Sequence, residues 1–306
     1  LVGSEMCIRD SFQGWRKTTA TARKMARTSN ARSARSRSAG KPPKGTVRPR
    51  DREFLARLAG EIALRTFERT QIEQWKREIF EQTLQLSRTI DQPNFTRLGR
   101  DDLVRMIRMY DDRFFEGKIL SAAHAEGMDF SISSRMTKVA GKLVTHYPEG
   151  DYNGRRRFEL VLSSTLLFQT FEDPKQHVEV TGLRCRNRLE AMQRVAEHEL
   201  VHLAEMLTWN DGTCSEARFQ SIAKRYFAHT DYRHALITQR ERAAIKFNIR
   251  VGDEVQFEHD GKILSGRVNR ITRRATVLVP SRNGERFSDG RRYLRYYVPL
   301  EKLQRK

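Results

Sequence analysis

The sequence predicts an α+β body followed by a small all-β unit, and three observations carry that prediction. Apolar residues recur at helical spacing from Asp51 to Phe115, then give way to short alternating runs between Met128 and Ser164. Helical spacing returns from 187 to 247, so helices, strands and helices follow one another in blocks, as in an α+β arrangement. Beyond residue 249 the alternating pattern comes back and holds to the C-terminus.

Residues 1–50 read as a basic tail. Its opening, "LVGSEMCIRDS", resembles a translated sequencing-adapter fragment, so Cys7 and the first ten or so residues carry no functional signal. The stretch that follows, ending in "SNARSARSRSAGKPPKGTVRPR", has Ser, Arg, Gly and Pro and almost nothing to bury, which predicts disorder. An N-terminal helical segment occupies 51–99. Phe54, Leu55, Leu58, Ile62, Phe67, Ile72, Trp75, Ile79, Phe80 and Leu84 fall close to one helical face, as one long helix or a pair. A further helix over 100–115 is stopped by Gly117.

"MDFSISS", "VAGKLVTHY" and "RRFELVLSS" are β-rich and separated by turn residues, as in "PEGDYNG". They predict a small, mostly antiparallel sheet. Helices are then expected at 187–208, 215–228 and 232–247, the last serving as a helical linker over 233–248. In 249–306, hairpin signals stand at Asp260-Gly261, Asn283-Gly284 and Asp289-Gly290. Five short runs in so small a segment predict a barrel, similar to the Tudor or KOW type.

Charge is unevenly spread. Residues 1–50 hold 13 Lys or Arg against 2 acids, 51–248 hold 31 against 29, and 249–306 hold 14 against 7. A near-neutral middle between two basic ends predicts a folded body with polyanion-seeking appendages, nucleic acid being the commonest polyanion. In the C-terminal unit Arg267, Arg270, Arg273, Arg274, Arg291, Arg292 and Arg295 are interleaved with Phe287, Tyr293, Tyr296 and Tyr297. Arginine tracks phosphate and aromatic faces stack bases, so nucleic acid or a protein partner is expected there. Three widely spaced cysteines do not form a disulfide framework, and no run reaches the roughly 18 apolar residues of a membrane span. The expectation is a soluble, cytoplasmic protein, nucleoid-associated if its polyanion is DNA, with no membrane partner.

Chemistry concentrates in "RVAEHELVHLAEMLTWNDGTCSEARF", residues 194 to 219. His198 and His202, four apart on a helix, share a face and can hold one metal ion, while Glu199 stands one step round as catalytic base for a metal-activated water. Zinc is the metal such a pair suits, and a catalytic zinc takes a third protein ligand while its fourth position stays open. The downstream candidates are Glu205, Asp211, Cys214, Glu216, His229 and His234. Cys214 has the best physical case: "TCSE" reads as a capping box with Thr213 as N-cap, which would place the thiol in a first helical turn, where thiolate is favoured. It could equally be a small residue buried near a helix start. His229 and His234 read as structural.

"YDDRFFEGKI", "SSRMTKVAGKL", "FELVLSSTLL", "HELVH" and "RFQSIAKRYFAHT" together resemble, in this order, the SprT-like metalloprotease domain over roughly 100–232. The resemblance implies a zincin-like protease domain with His198 and His202 on one Zn2+ ion, Glu199 as catalytic base, and protein substrates. Some relatives, including the Spartan proteases, cleave proteins crosslinked to DNA. The chain departs from the family pattern at the third ligand, where a His-Gly pair is usual. Ser215 stands at that histidine's place and Cys214 one residue before it, leaving open a His-His-Cys site, a ligand from elsewhere, or a weakened site. The rival expectation is a non-catalytic nucleic-acid or ribosome binding protein with structural zinc.

Overall fold

The computed structural model describes residues 2–5, 49–147, 156–171, 178–272 and 274–306. Most of the predicted basic tail, and the "PEGDYNG" turn, lie outside these. Within the segment expected to be disordered, Val2–Glu5 instead form a strand, β1, whose partner is given below. No helix among the described residues is long and apolar enough to cross a membrane.

The N-terminal helical segment is a pair, α1 (Pro49–Leu64) and α2 (Arg69–Leu86). A helix end leaves carbonyls without intrahelical donors. Here Arg225, from a later helix, donates to the carbonyls of Ile62 (3.0 Å) and Arg65. Phe67, in the break, packs edge-on against Trp75, Phe114 and Tyr226, so the break is a core contact as well as a turn. Both helices bury Leu58, Ile62, Ile72 and Ile79 in the main core rather than forming a separate segment.

α3 (Arg100–Phe115) ends at Glu116, which takes the left-handed conformation (φ 58°). The chain does not stop there. A short helix, α4 (Lys118–Glu126), follows at once, nucleated by Asp111, whose carboxylate accepts from the amides of Ile119 (3.1 Å) and Leu120 (2.9 Å). Burial pushes that carboxyl up to about 6 against the pull of these two bonds.

The three predicted strands are present as β2 (Met128–Ser133), β3 (Gly141–His146) and β4 (Arg157–Ser163). Their sheet has the order β1-β3-β4-β2. β3 is antiparallel to both β1 and β4, whereas β2 runs parallel to β4. β4 thus returns between its two predecessors. α5 (Ser164–Thr170) is capped by Ser163, and a small hairpin, β5 (Val178–Val180) and β6 (Leu183–Cys185), leads to α6 (Arg188–Trp209).

α6 is the centre of the body. Asn187 caps it by accepting from the Glu190 amide at 2.9 Å. Leu189, Met192, Val195, Ala196, Leu200, Val201, Leu203 and Ala204 are fully buried, so the helix is apolar on most of its circumference and enclosed by its neighbours. α7 (Ala217–Phe227) packs on it, and α8 (Gln239–Phe247) follows.

α8 is not a bare linker. Ala243 and Ile249 join a second core with Val255, Phe257, Val268, Val277 and Val298, so the C-terminal unit begins with this helix. Its strands are β7 (Glu254–His259), β8 (Lys262–Ile271), β9 (Arg274–Arg286), β10 (Arg292–Pro299) and β11 (Gln304–Arg305). They form one antiparallel sheet of order β10-β9-β8-β7-β11. Asp260-Gly261 does turn between β7 and β8, with φ of 51° and 72°. Asn283-Gly284 does not turn: it lies inside β9, where Gly284 passes so close to the Tyr293 backbone that a Cβ would collide with it.

Candidate metal centre

α6 carries His198 and His202 on one face, and their Nε2 atoms lie 3.1 Å apart. Two zinc-bound nitrogens at tetrahedral geometry stand about 3.3 Å apart, so the pair is already spaced for one ion. Cys214 comes to the same point from the α6–α7 connection. The ligand atoms of His198, His202 and Cys214 all lie within 4.8 Å of one another, and all three residues are buried. The donor set of two imidazoles and one thiol suits zinc.

Burial holds His198 well below the usual imidazole range, reinforced by His202, His229 and His234 nearby. Burial likewise lowers His202 to about 3. Both rings are therefore neutral at physiological pH, which is the ligating form. Phe219 of α7 lies over both, its ring centroid 4.7 Å from that of His198 and 4.4 Å from that of His202. A Cβ on Gly212 would stand 3.4 Å from Nδ1 of His202, so this connection runs close along the ring.

Glu199 turns toward the start of β3. A Cβ on Gly141 would stand 2.6 Å from its Oε1 and 2.7 Å from Val195 Cγ1, so only glycine allows the strand to come this close to the carboxylate. Gly141→Ala is expected to cost about 1–3 kcal/mol through overpacking and to displace Glu199. Thermal melting checks the first effect, and an unchanged melting temperature would remove the close-approach argument.

Glu197, on the other side of His198, meets a different environment. Its carboxylate pairs with Arg194 (2.9 Å) and Lys76 (3.2 Å) and accepts from His229 Nε2 (2.8 Å), all buried. Burial alone would raise this carboxyl, but Arg194, Lys76 and His229 outweigh it and hold it at about 2. Lys76 also donates to the Phe227 carbonyl at 2.6 Å, and burial, with Arg194, pushes its ammonium down to about 7 against the pull of Glu197. This cluster ties α2 and the end of α7 to α6.

The other ligand candidates lie outside the group of converging donors. Glu205 pairs with Arg218 at 2.7 Å, and Asp211 meets the same guanidinium at 3.4 Å. Glu216 is the residue before α7, His229 serves Glu197, and His234 Nδ1 accepts from the Leu236 amide at 3.2 Å. The predicted capping box at "TCSE" is not formed. α7 starts at Ala217, and Glu216 N donates to the Thr213 carbonyl at 2.9 Å, so Cys214 sits in a turn ahead of the helix. Its place among the ligands comes from that turn and not from a helix dipole. Sequence reading did not find Gly141, Glu197, Lys76 or Arg194. The close approach at Gly141 and the cross-helix pairing of Lys76 leave no local pattern.

His229 and His234 give the fold a pH dependence. Burial lowers each to about 4, His229 against the pull of Glu197. Below the ordinary histidine pKa of about 6.5, the unfolded chain takes up protons that the folded chain refuses. Stability is therefore complete above that value and falls as pH drops toward 4, by roughly 3 kcal/mol for each ring. In urea titrations of the metal-free protein the midpoint should fall steadily over this window, and His234→Gln should flatten the slope. A midpoint unchanged across the window would contradict this.

Fold and site together define an α+β chain with a helix-borne, three-donor candidate metal centre. No protein-family model, curated protein or solved structure matches the chain.

Proposed function

We propose that the chain is a zinc-dependent endopeptidase acting on proteins associated with nucleic acid. The observation that carries the reading is the convergence of His198, His202 and Cys214 on the helix that also bears Glu199. Three converging protein donors are the number a catalytic zinc uses, a closed structural site taking four. Bound there, zinc would supply Lewis-acid chemistry, polarising a peptide carbonyl. Neutral His198 and His202 offer Nε2, and Cys214 its sulfur, as donors. The Glu199 carboxylate takes a proton from the attacking water, whose oxygen bonds to the peptide carbon, and gives it to the amine nitrogen as the C–N bond breaks. The ordered resemblance to the SprT-like domain over 100–232 supports the same roles, with Cys214 replacing the family's histidine. The two basic ends support a polyanionic setting.

Metal analysis tests the site. The wild type should bind one zinc ion, and Cys214→Ser should weaken binding by roughly 100-fold or more, since losing even an outer-shell partner costs 10–100-fold. A purified protein without stoichiometric zinc would end the proposal.

A second reading is favoured by one observation, the complete burial of His198, Glu199 and His202. In it zinc is structural and the chain is a non-catalytic nucleic-acid or ribosome binding protein. The readings part at Glu199, which has a chemical task only in the first.

A further inference from the structure

The register of the C-terminal sheet sorts its side chains into two faces. Val268, Val277 and Tyr296 align across β8, β9 and β10 and point into the core. The alternate positions point outward. One outward row is Arg267, Leu278 and Arg295, the next is Arg270, Thr276 and Tyr297, and Tyr293 lies opposite Pro280 in a third. Rows on one face repeat about every 7 Å along the strands, so the three span the length of a few nucleotides of an extended chain.

Tyr297 is 62% exposed, although a tyrosine has much to gain from burial. Arg267, Arg270 and Arg295 are exposed around it. Leu278, on the same face between Arg267 and Arg295 in register, is only 9% exposed. Arg295 lies 5.1 Å from the Phe287 ring centroid and pairs with Glu285 at 2.6 Å. Both partners are largely exposed, so the pair yields readily to a phosphate. Glu254 and Glu258 of β7 bound the strip on its other side, which confines the basic surface to β8–β10.

We infer that the outward face of β8, β9 and β10 binds single-stranded nucleic acid, with Arg267, Arg270 and Arg295 following the phosphates and Tyr297 and Tyr293 stacking on bases. This deepens the nucleic-acid part of the proposed function and rests on that part alone. A solvated rim of arginines needs no exposed tyrosine beside it on the edge strand β10, and a duplex keeps its base faces hidden from one. Single strands offer both groups the face needs.

The test uses the full chain carrying Glu199→Gln, so that cleavage and binding are read separately. Fluorescence anisotropy measures binding of a labelled oligothymidine, an oligouridine of equal length and a DNA duplex. Tyr297→Ala should weaken binding of one or both single strands by about 5- to 150-fold, with the duplex much less affected, and Tyr297→Phe should restore it. The tighter of the two single strands identifies the natural sugar. Arg270→Gln should reduce the salt slope for the single strand by about 0.7. If Tyr297→Ala leaves single-strand binding unchanged, or weakens strand and duplex equally, the proposal is overturned. Absence of single-strand binding by the parent chain overturns it too, without touching the metallopeptidase reading.

Discussion

Glu199→Gln should leave a protein that binds one zinc ion as tightly as the wild type and cleaves protein about 100- to 10,000-fold more slowly, the range that a positioned general base contributes. The substitution keeps size and shape, so the carboxamide still fits against Gly141. It removes the ability to accept a proton. The candidate metal donors, His198, His202 and Cys214, are untouched. Zinc content measured beside peptide hydrolysis or autocleavage separates the outcomes. Equal cleavage by both proteins would strip Glu199 of its task and favour the structural-zinc reading.

Glu197→Gln should be damaging for another reason. The carboxylate neutralises two cations, Arg194 and Lys76, in a place from which water is excluded. Breaking a buried pair by removing one partner costs about 3–5 kcal/mol, since the other charge stays behind. In a body of this size that lowers the melting temperature by roughly 10 °C. Lys76, at about 7 even beside Glu197, can shed its proton, whereas Arg194 cannot, so adding Arg194→Met to Glu197→Gln removes the stranded cation and should recover part of the loss. If Glu197→Gln melted with the wild type, the cluster would not be holding α2 against α6.

The helices that house the candidate site were legible because their apolar residues fall on a 3.6-residue period. α3 and α6 lie within a residue or two of their predicted ends. The histidine pair was legible for the same reason, since four residues is one turn. What escaped depends on contacts between distant segments. α4 forms because Asp111 caps it from the preceding helix, and the short β5–β6 hairpin has too few residues for a period to show. The sheet is mostly antiparallel as expected, but the parallel pairing of β2 with β4 is an order that alternation alone does not specify. Asn283-Gly284 had turn chemistry and was used as a crossing point instead. Cys214 was found among the candidate ligands although the predicted capping box around it, with Thr213 as N-cap, is not formed.

Ile237 donates its amide to Thr170 Oγ1 at 2.9 Å, so that residue is still fastened to the α+β body. Thr238 already caps α8, exchanging hydrogen bonds with Glu241, and α8 fills the second core. The two units therefore meet at a joint one peptide unit long. A Gly- and Ser-rich tether would let each roam over a volume that grows with its length. A joint this short confines their relative motion to pivoting about neighbouring backbone bonds.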